Sequence, residues 1–134
     1  MFGIIELGTE MLFDKITQGL IAGTHYSGLR HKTIANNLAN ADTPGYKALD
    51  ISFNEQLNHF ISKKHDDLDS VSLSPPTLIL EPDPTSGQPR TDLNTVNVDQ
   101  ELVKLSQNTI LHNTYLQLLG VKFRILKSAI SGDA

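Results

Sequence analysis

A chain of 134 residues has room for one domain of modest size. Its net charge of −4 and lack of any basic run exclude a nucleic-acid surface, which needs clustered Lys and Arg. Cysteine is absent, which removes disulfides, thiol chemistry and thiolate zinc sites together.

Residues 1–8 are apolar and glycine-bearing and read as a loose arm. Glu6 and Glu10 leave no positive start, so the first residues do not read as a cleavable secretory signal. Thr9 can cap a helix running to about Asn40. Its helical face reads Phe13, Ile16, Leu20, Thr24, Ser27, His31, Ile34 and Leu38, a seam with a polar middle. Gly19, Gly23 and Gly28 each cost about 1 kcal/mol relative to alanine in a helix interior, so this helix needs packing to exist. The preferred reading is that these small residues admit a neighbouring backbone; plain tolerance of glycine is the alternative.

The helix then meets Asn36-Asn37-Leu38-Ala39-Asn40-Ala41-Asp42-Thr43-Pro44-Gly45-Tyr46. Thr43 precedes a proline and is pushed out of the α region, which ends the helix. Pro44 and Gly45 fit the central positions of a type II turn, with Gly45 supplying the positive φ. Asn36, Asn37 and Asn40 are poor helix formers, but their amides can bond exposed carbonyls or a neighbouring chain's backbone. An asparagine-rich, fraying helix end is the bland alternative.

This run, extended by Lys47, closely resembles the N-terminal signature of the flagellar basal-body rod family, and within it the proximal-rod members. Asp50-Ile51-Ser52-Phe53 resembles that family too. So does the C-terminal stretch from Asn94-Thr95-Val96 through Asp99, Glu101 and Asn108 to Lys127-Ser128-Ala129-Ile130-Ser131-Gly132. The resemblance covers most of residues 10–60 and 90–132. One departure is visible: the family usually has glycine where Leu93 stands, which puts a tight turn before the C-terminal helix in question.

Between the matched ends, Ser52 with Glu55 forms a capping-box pattern, and Phe53, Leu57, Phe60 and Ile61 share a helical face. A short helix over about Phe53 to Lys63 is predicted. Lys63 to Ser74 reads as a solvated linker, and Thr77-Leu78-Ile79-Leu80 as a candidate short strand. Glu81 to Asp92, with Pro82, Pro84, Gly87 and Pro89, reads as a loop.

The strongest element is the last. Val98, Leu102, Leu105, Thr109, His112, Leu116, Leu119, Phe123, Leu126 and Ile130 follow alternating steps of four and three, the seam of a helix that winds around a partner. At 1.5 Å per residue this helix is roughly 50 Å long. Asn97 stands at the N-cap position with Gln100 three residues on, and Gly132 is the C-terminal stop. Asp99 and Glu101 near the start, and Lys122, Arg124 and Lys127 near the end, suit the helix dipole. From Ile110 onward a second stripe of Leu111, Leu118, Val121 and Ile125 lies away from the seam, so one partner helix cannot cover the apolar surface. The basic residues interrupt any run long enough to span a bilayer.

Catalytic patterns are missing. His25, His31, His59, His65 and His112 form no HExxH or similar ligand set, and Asp66, Asp67 and Asp69 lack the rest of a calcium loop. There is no phosphate loop and no nucleophile elbow. His112 and His31 read as polar seam residues that fix register or partner. No enzyme, metal or cofactor is expected.

The expected fold is mainly α: two long terminal helices packed as an antiparallel coiled coil, with a short helix and an irregular, largely loop middle. The regions are 1–45, 46–97 and 98–134. The expected assembly interface comprises Ile34, Asn36, Asn37, Leu38, Asn40, Pro44, Gly45, Tyr46, Leu102, Leu105, His112, Leu116, Leu119, Phe123, Leu126 and Ile130. The resemblance implies a structural subunit of a tubular, torque-transmitting periplasmic shaft, next to the membrane-embedded base ring and exported by the flagellar type III apparatus. It implies contacts with further copies, with other rod proteins and with the adaptor that joins rod to ring. The physical reason lies in the residues: each helix offers more apolar surface than one contact within the chain can cover. A soluble cytoplasmic helical adaptor or export chaperone is the alternative.

Overall fold

The computed structural model describes residues 15–52 and 79–132. The expected arm, the Thr9 cap, the 53–63 helix and the linker lie outside the described residues. Four elements follow in chain order: helix α1 (Lys15–Ala39), strand β1 (Leu49–Ile51), strand β2 (Leu80–Pro82) and helix α2 (Val98–Ser131). The two long helices pack together and dominate the structure.

Both ends of α2 form where their residues dictate. Asn97 is extended (φ −103°, ψ 105°), and its side chain accepts the Gln100 amide at 3.2 Å. Gly132 adopts the left-handed conformation (φ 69°), which returns its N–H to the Ser128 carbonyl at 3.2 Å. That geometry favours glycine, because a Cβ would meet its own backbone.

α1 ends at Ala39 and is followed by the turn that Pro44 and Gly45 prescribe. Gly45 has φ 73°, and Tyr46 N donates to Thr43 O at 3.2 Å across the turn. The strip preceding α2 clamps it: Gly45 N donates to Asp92 O (2.8 Å) and Thr95 N to Tyr46 O (3.1 Å). Ala41, Ala48 and Val96 form a small core here, with Tyr46 packed on it.

The helices run antiparallel. Gly23 lies beneath the Tyr115 ring, Ser27 meets Asn108 and His112, and Asn37 meets Glu101, so numbers rise along α1 as they fall along α2. β1 and β2 pair antiparallel, with Leu49 opposite Pro82, Asp50 opposite Glu81 and Ile51 opposite Leu80. β2 shares Leu80 with the strand expected at 77–80, of which residues 77 and 78 lie outside the described residues, and runs on through Glu81 and Pro82 into the expected loop. Its partner β1 had no local signal. Pro82 is tolerated because a two-stranded sheet is all edge.

The interior is unusually polar. Among the described residues, buried Thr17, Ser27, Thr33, Asn37, Asp83, Asn94, Glu101 and Asn108 outnumber the buried apolar Tyr26, Ile34, Ala41, Ala48, Ile51, Val96 and Leu126. Most of the large apolar side chains of α2 face outward instead. No described helix is long and apolar enough to cross a membrane.

Candidate assembly interface

The asparagines of the turn region serve as fasteners within the chain. Asn37, 1% exposed, donates from Nδ2 to Leu49 O (2.8 Å) and Glu101 Oε2 (2.9 Å). Its Oδ1 accepts from Leu49 N (3.1 Å) and the Tyr46 hydroxyl (3.3 Å). Asn40 Nδ2 donates back to Asn36 O at 2.8 Å. Fully buried Asn94 shares its Nδ2 hydrogens among the carbonyls of Asn40, Ala41 and Thr43 (3.0, 3.1 and 2.8 Å), while its Oδ1 accepts Val96 N at 2.7 Å. It gathers three carbonyls of the turn that follows α1 around one buried amide.

A charged cluster sits where α2 meets the sheet. Lys104 Nζ bridges Asp83 and Glu101, and all three side chains are largely withdrawn from water. Burial alone would lower the Lys104 ammonium, but hydrogen bonds to Asp83 and Glu101 win and hold it above its usual 10.5. Burial likewise raises the Asp83 carboxyl, but hydrogen bonds from Lys104 and Thr85 outweigh it and hold that group below its usual 3.8. On α1, Arg30 grips Asp50 with two bonds (2.9 and 2.7 Å). Its hydrogen bond to Asp50 raises the guanidinium further, against the opposing effect of burial. The Tyr26 phenol, raised by burial, donates to Ile51 O at 3.3 Å.

The face that α2 turns to α1 corrects the expected seam. Leu105, His112, Leu119 and Leu126 are half-buried or buried, as expected. The second column of the seam, Leu102, Thr109, Leu116 and Phe123, is exposed. Glu101, Asn108, Tyr115 and Lys122, each one residue earlier, take its place. α1 shows the shift in part: Ser27 and Ile34 are buried and Leu20 half-buried as the seam requires, Gly23 and Asn37 are buried beside them, and Ile16 and His31 of the expected seam are exposed. Thr24 and Leu38 are half-buried. α2 is therefore rotated by roughly half of the ~100° residue step. The reason is chemical, because polar partners meet in this register: Asn37 with Glu101, Ser27 with His112, and Asn108 with the Ser27 carbonyl. The sheet covers one flank of the pair, through Tyr26 to Ile51 and Lys104 to Asp83.

The expected interface residues thus fall into two groups. Ile34, Asn37 and Leu126 are buried within the chain, and Leu38, Asn40, Tyr46, Leu105, His112 and Leu119 are half-buried. Asn36, Pro44, Gly45, Leu102, Leu116, Phe123 and Ile130 are exposed, with Phe123 at 51% and Ile130 at 80%. The second stripe is also largely outward, with Leu118, Val121 and Ile125 exposed and Leu111 half-buried. Sequence reasoning missed the roles of Asp83, Asn94, Lys104 and Tyr115. The heptad spacing of Glu101, Asn108, Tyr115 and Lys122 was a signal available for the polar column. Among the described residues no group of three or more His, Asp or Glu could hold a metal.

Paired helices, a clamped Asn-rich turn and exposed apolar flanks define a two-helix protein with uncovered hydrophobic surface. The sequence profile described as flagella basal body rod protein matches residues 29–47, the segment running from α1 through that turn. The FlgB basal body rod protein of Bacillus subtilis is 30% identical over 129 residues, covering 90% of this chain and 97% of that protein. The FlgB protein of Buchnera aphidicola is 30% identical over 90% of this chain and 100% of its own length. That of Aeromonas hydrophila is 33% identical over 78% and 83%. The chain belongs to the flagellar basal-body rod protein family, as a member of its FlgB type.

Proposed function

We propose that this chain is a structural subunit of the proximal flagellar rod, one that completes its burial only against neighbouring subunits and carries motor torque along the shaft. The observation that carries the reading is the outward apolar column Leu102, Leu116, Phe123 and Ile130, left open because α2 turns its polar column to its own α1. Exposed apolar surface on this scale marks an interaction site. At about 25 cal/mol per Å², covering a few hundred Å² would stabilise each contact by several kcal/mol. The neighbours are further copies, other rod proteins and the adaptor to the membrane ring, met in coiled-coil fashion. The chain reaches the periplasm through the flagellar type III apparatus.

Phe123→Asp tests this reading. Phe123 is half exposed in the single chain, so helix content by circular dichroism should persist. A charge forced into an apolar subunit contact should remove the protein from purified basal bodies and abolish swimming. Normal motility with the variant present in basal bodies would refute the role of this face. Absence of even the unmodified protein from basal bodies would favour the cytoplasmic adaptor.

A further inference from the structure

α2 meets α1 through a polar column although a mostly apolar one, Leu102, Thr109, Leu116 and Phe123, lies a single residue away. Asn108, 1% exposed, donates to the Ser27 carbonyl at 2.8 Å, yet its Oδ1 has no partner among the described residues. A buried acceptor left this way is costly. The Ser27 hydroxyl donates to Thr24 O (2.9 Å) and lies 2.7 Å from His112 Nδ1. Stability alone would place an aliphatic side chain at the Asn108 position. A polar residue in a helix seam is best attested as a device that fixes register and partner.

Register is fixed sterically as well. A Cβ on Gly23 would lie 2.6 Å from the Tyr115 ring. A slip by one heptad in either direction would put Ile16 or Arg30 beneath that ring.

We propose that the column formed by Asn108 and His112 against Ser27 is a selector. It confines α2 to its own α1 in one register and closes this face to helices of other copies, leaving the apolar flank as the surface that neighbours share. Apolar columns accept many partners; a polar column favours a helix that supplies partners at the right height, as Ser27 does for Asn108 Nδ2 and His112 Nδ1. The selector rests on geometry within the chain, and only the sharing of the apolar flank by neighbours rests on the rod reading.

The test uses the full chain as Asn108→Leu and, separately, as Ser27→Ala/His112→Leu. Unfolding temperature, self-association by sedimentation, and cross-linking between isotope-labelled and unlabelled copies are compared with the unmodified chain. Both variants keep the outer apolar stripe, so the unmodified chain sets its contribution. The expected result is an equal or higher unfolding temperature with self-association at least about tenfold tighter. New cross-links should join α1 of one copy to α2 of another. Unchanged association with cross-links only within single chains would overturn the proposal. So would unfolding of both variants at lower temperature, because the polar column would then stabilise the pair and select nothing.

Discussion

Asn37 and Glu101 join the two helices through one amide–carboxylate hydrogen bond of 2.9 Å, and each residue is 1% exposed. The same asparagine holds both backbone groups of Leu49, so one side chain ties α1, β1 and α2 at a point. Asn37→Ala would strand the Leu49 amide and carbonyl and one oxygen of a buried carboxylate. A loss of about 2–4 kcal/mol is expected, measured by urea unfolding followed by circular dichroism. A loss below about 0.5 kcal/mol, the range of an ordinary surface change, would contradict this fastening role.

The Lys104 cluster predicts the pH range of stability. Asp83 is depressed in the folded chain, so its contribution is present above its usual 3.8 and is lost as pH falls through the lower folded value. Lys104 is raised, so its contribution is present below 10.5 and is lost as pH rises through the higher folded value. Lys104→Met should cost about 3–5 kcal/mol at neutral pH by leaving two buried carboxylates without their cation. That deficit should shrink as pH falls, because without Lys104 the Asp83 carboxyl is less depressed and loses less stability on protonation. Denaturant midpoints across an acid titration would check both.

Two glycines of α1 should respond to alanine in opposite directions. At Gly23 the added methyl would meet the Tyr115 ring, so the gain in helix propensity is overtaken by a clash in the seam. At Gly28 nothing lies within 4 Å, and alanine should stabilise by about 1 kcal/mol. Unfolding midpoints that moved the same way would show that Tyr115 does not rest on Gly23.

Leu93 stands at φ 64° with its side chain 62% exposed. Its N–H closes a turn on Arg90 O (2.8 Å), and its carbonyl accepts the Lys47 ammonium (2.9 Å). The tight turn therefore forms without glycine, at a cost in left-handed strain of about 1–2 kcal/mol. Leu93→Gly should return up to about 1 kcal/mol, since little packing is lost and the unfolded chain gains only some of that freedom. A neutral or lower unfolding midpoint would show that the strain is relieved by contacts of the leucine itself.

Features encoded within a few residues were legible in the sequence: both caps of α2, the stop before Pro44 and the turn at Gly45. Those local rules do not depend on what the rest of the chain does. The inward side of the helices was not legible, because a seam and a column one residue away share half their positions. Hydrophobicity favoured Leu102, Leu116 and Phe123, whereas complementarity with Asn37, Ser27 and Gly23 favoured Glu101, Asn108 and Tyr115. That complementarity joins residues more than sixty positions apart. Strand β1 was hidden for a similar reason, since three residues acquire ladder bonds only when β2 arrives. Asn94 was legible as part of a motif, but its hold on the distant turn after α1 needed the fold.

The pairing of Ile51 with Leu80 has a practical reach. Whatever joins them must start and finish at one spot beside the helix pair, so lengthening it adds closure entropy only logarithmically. Relatives can vary the size of this excursion without re-engineering the helices. A short epitope inserted between those two residues should leave the unfolding midpoint of the helix pair nearly unchanged.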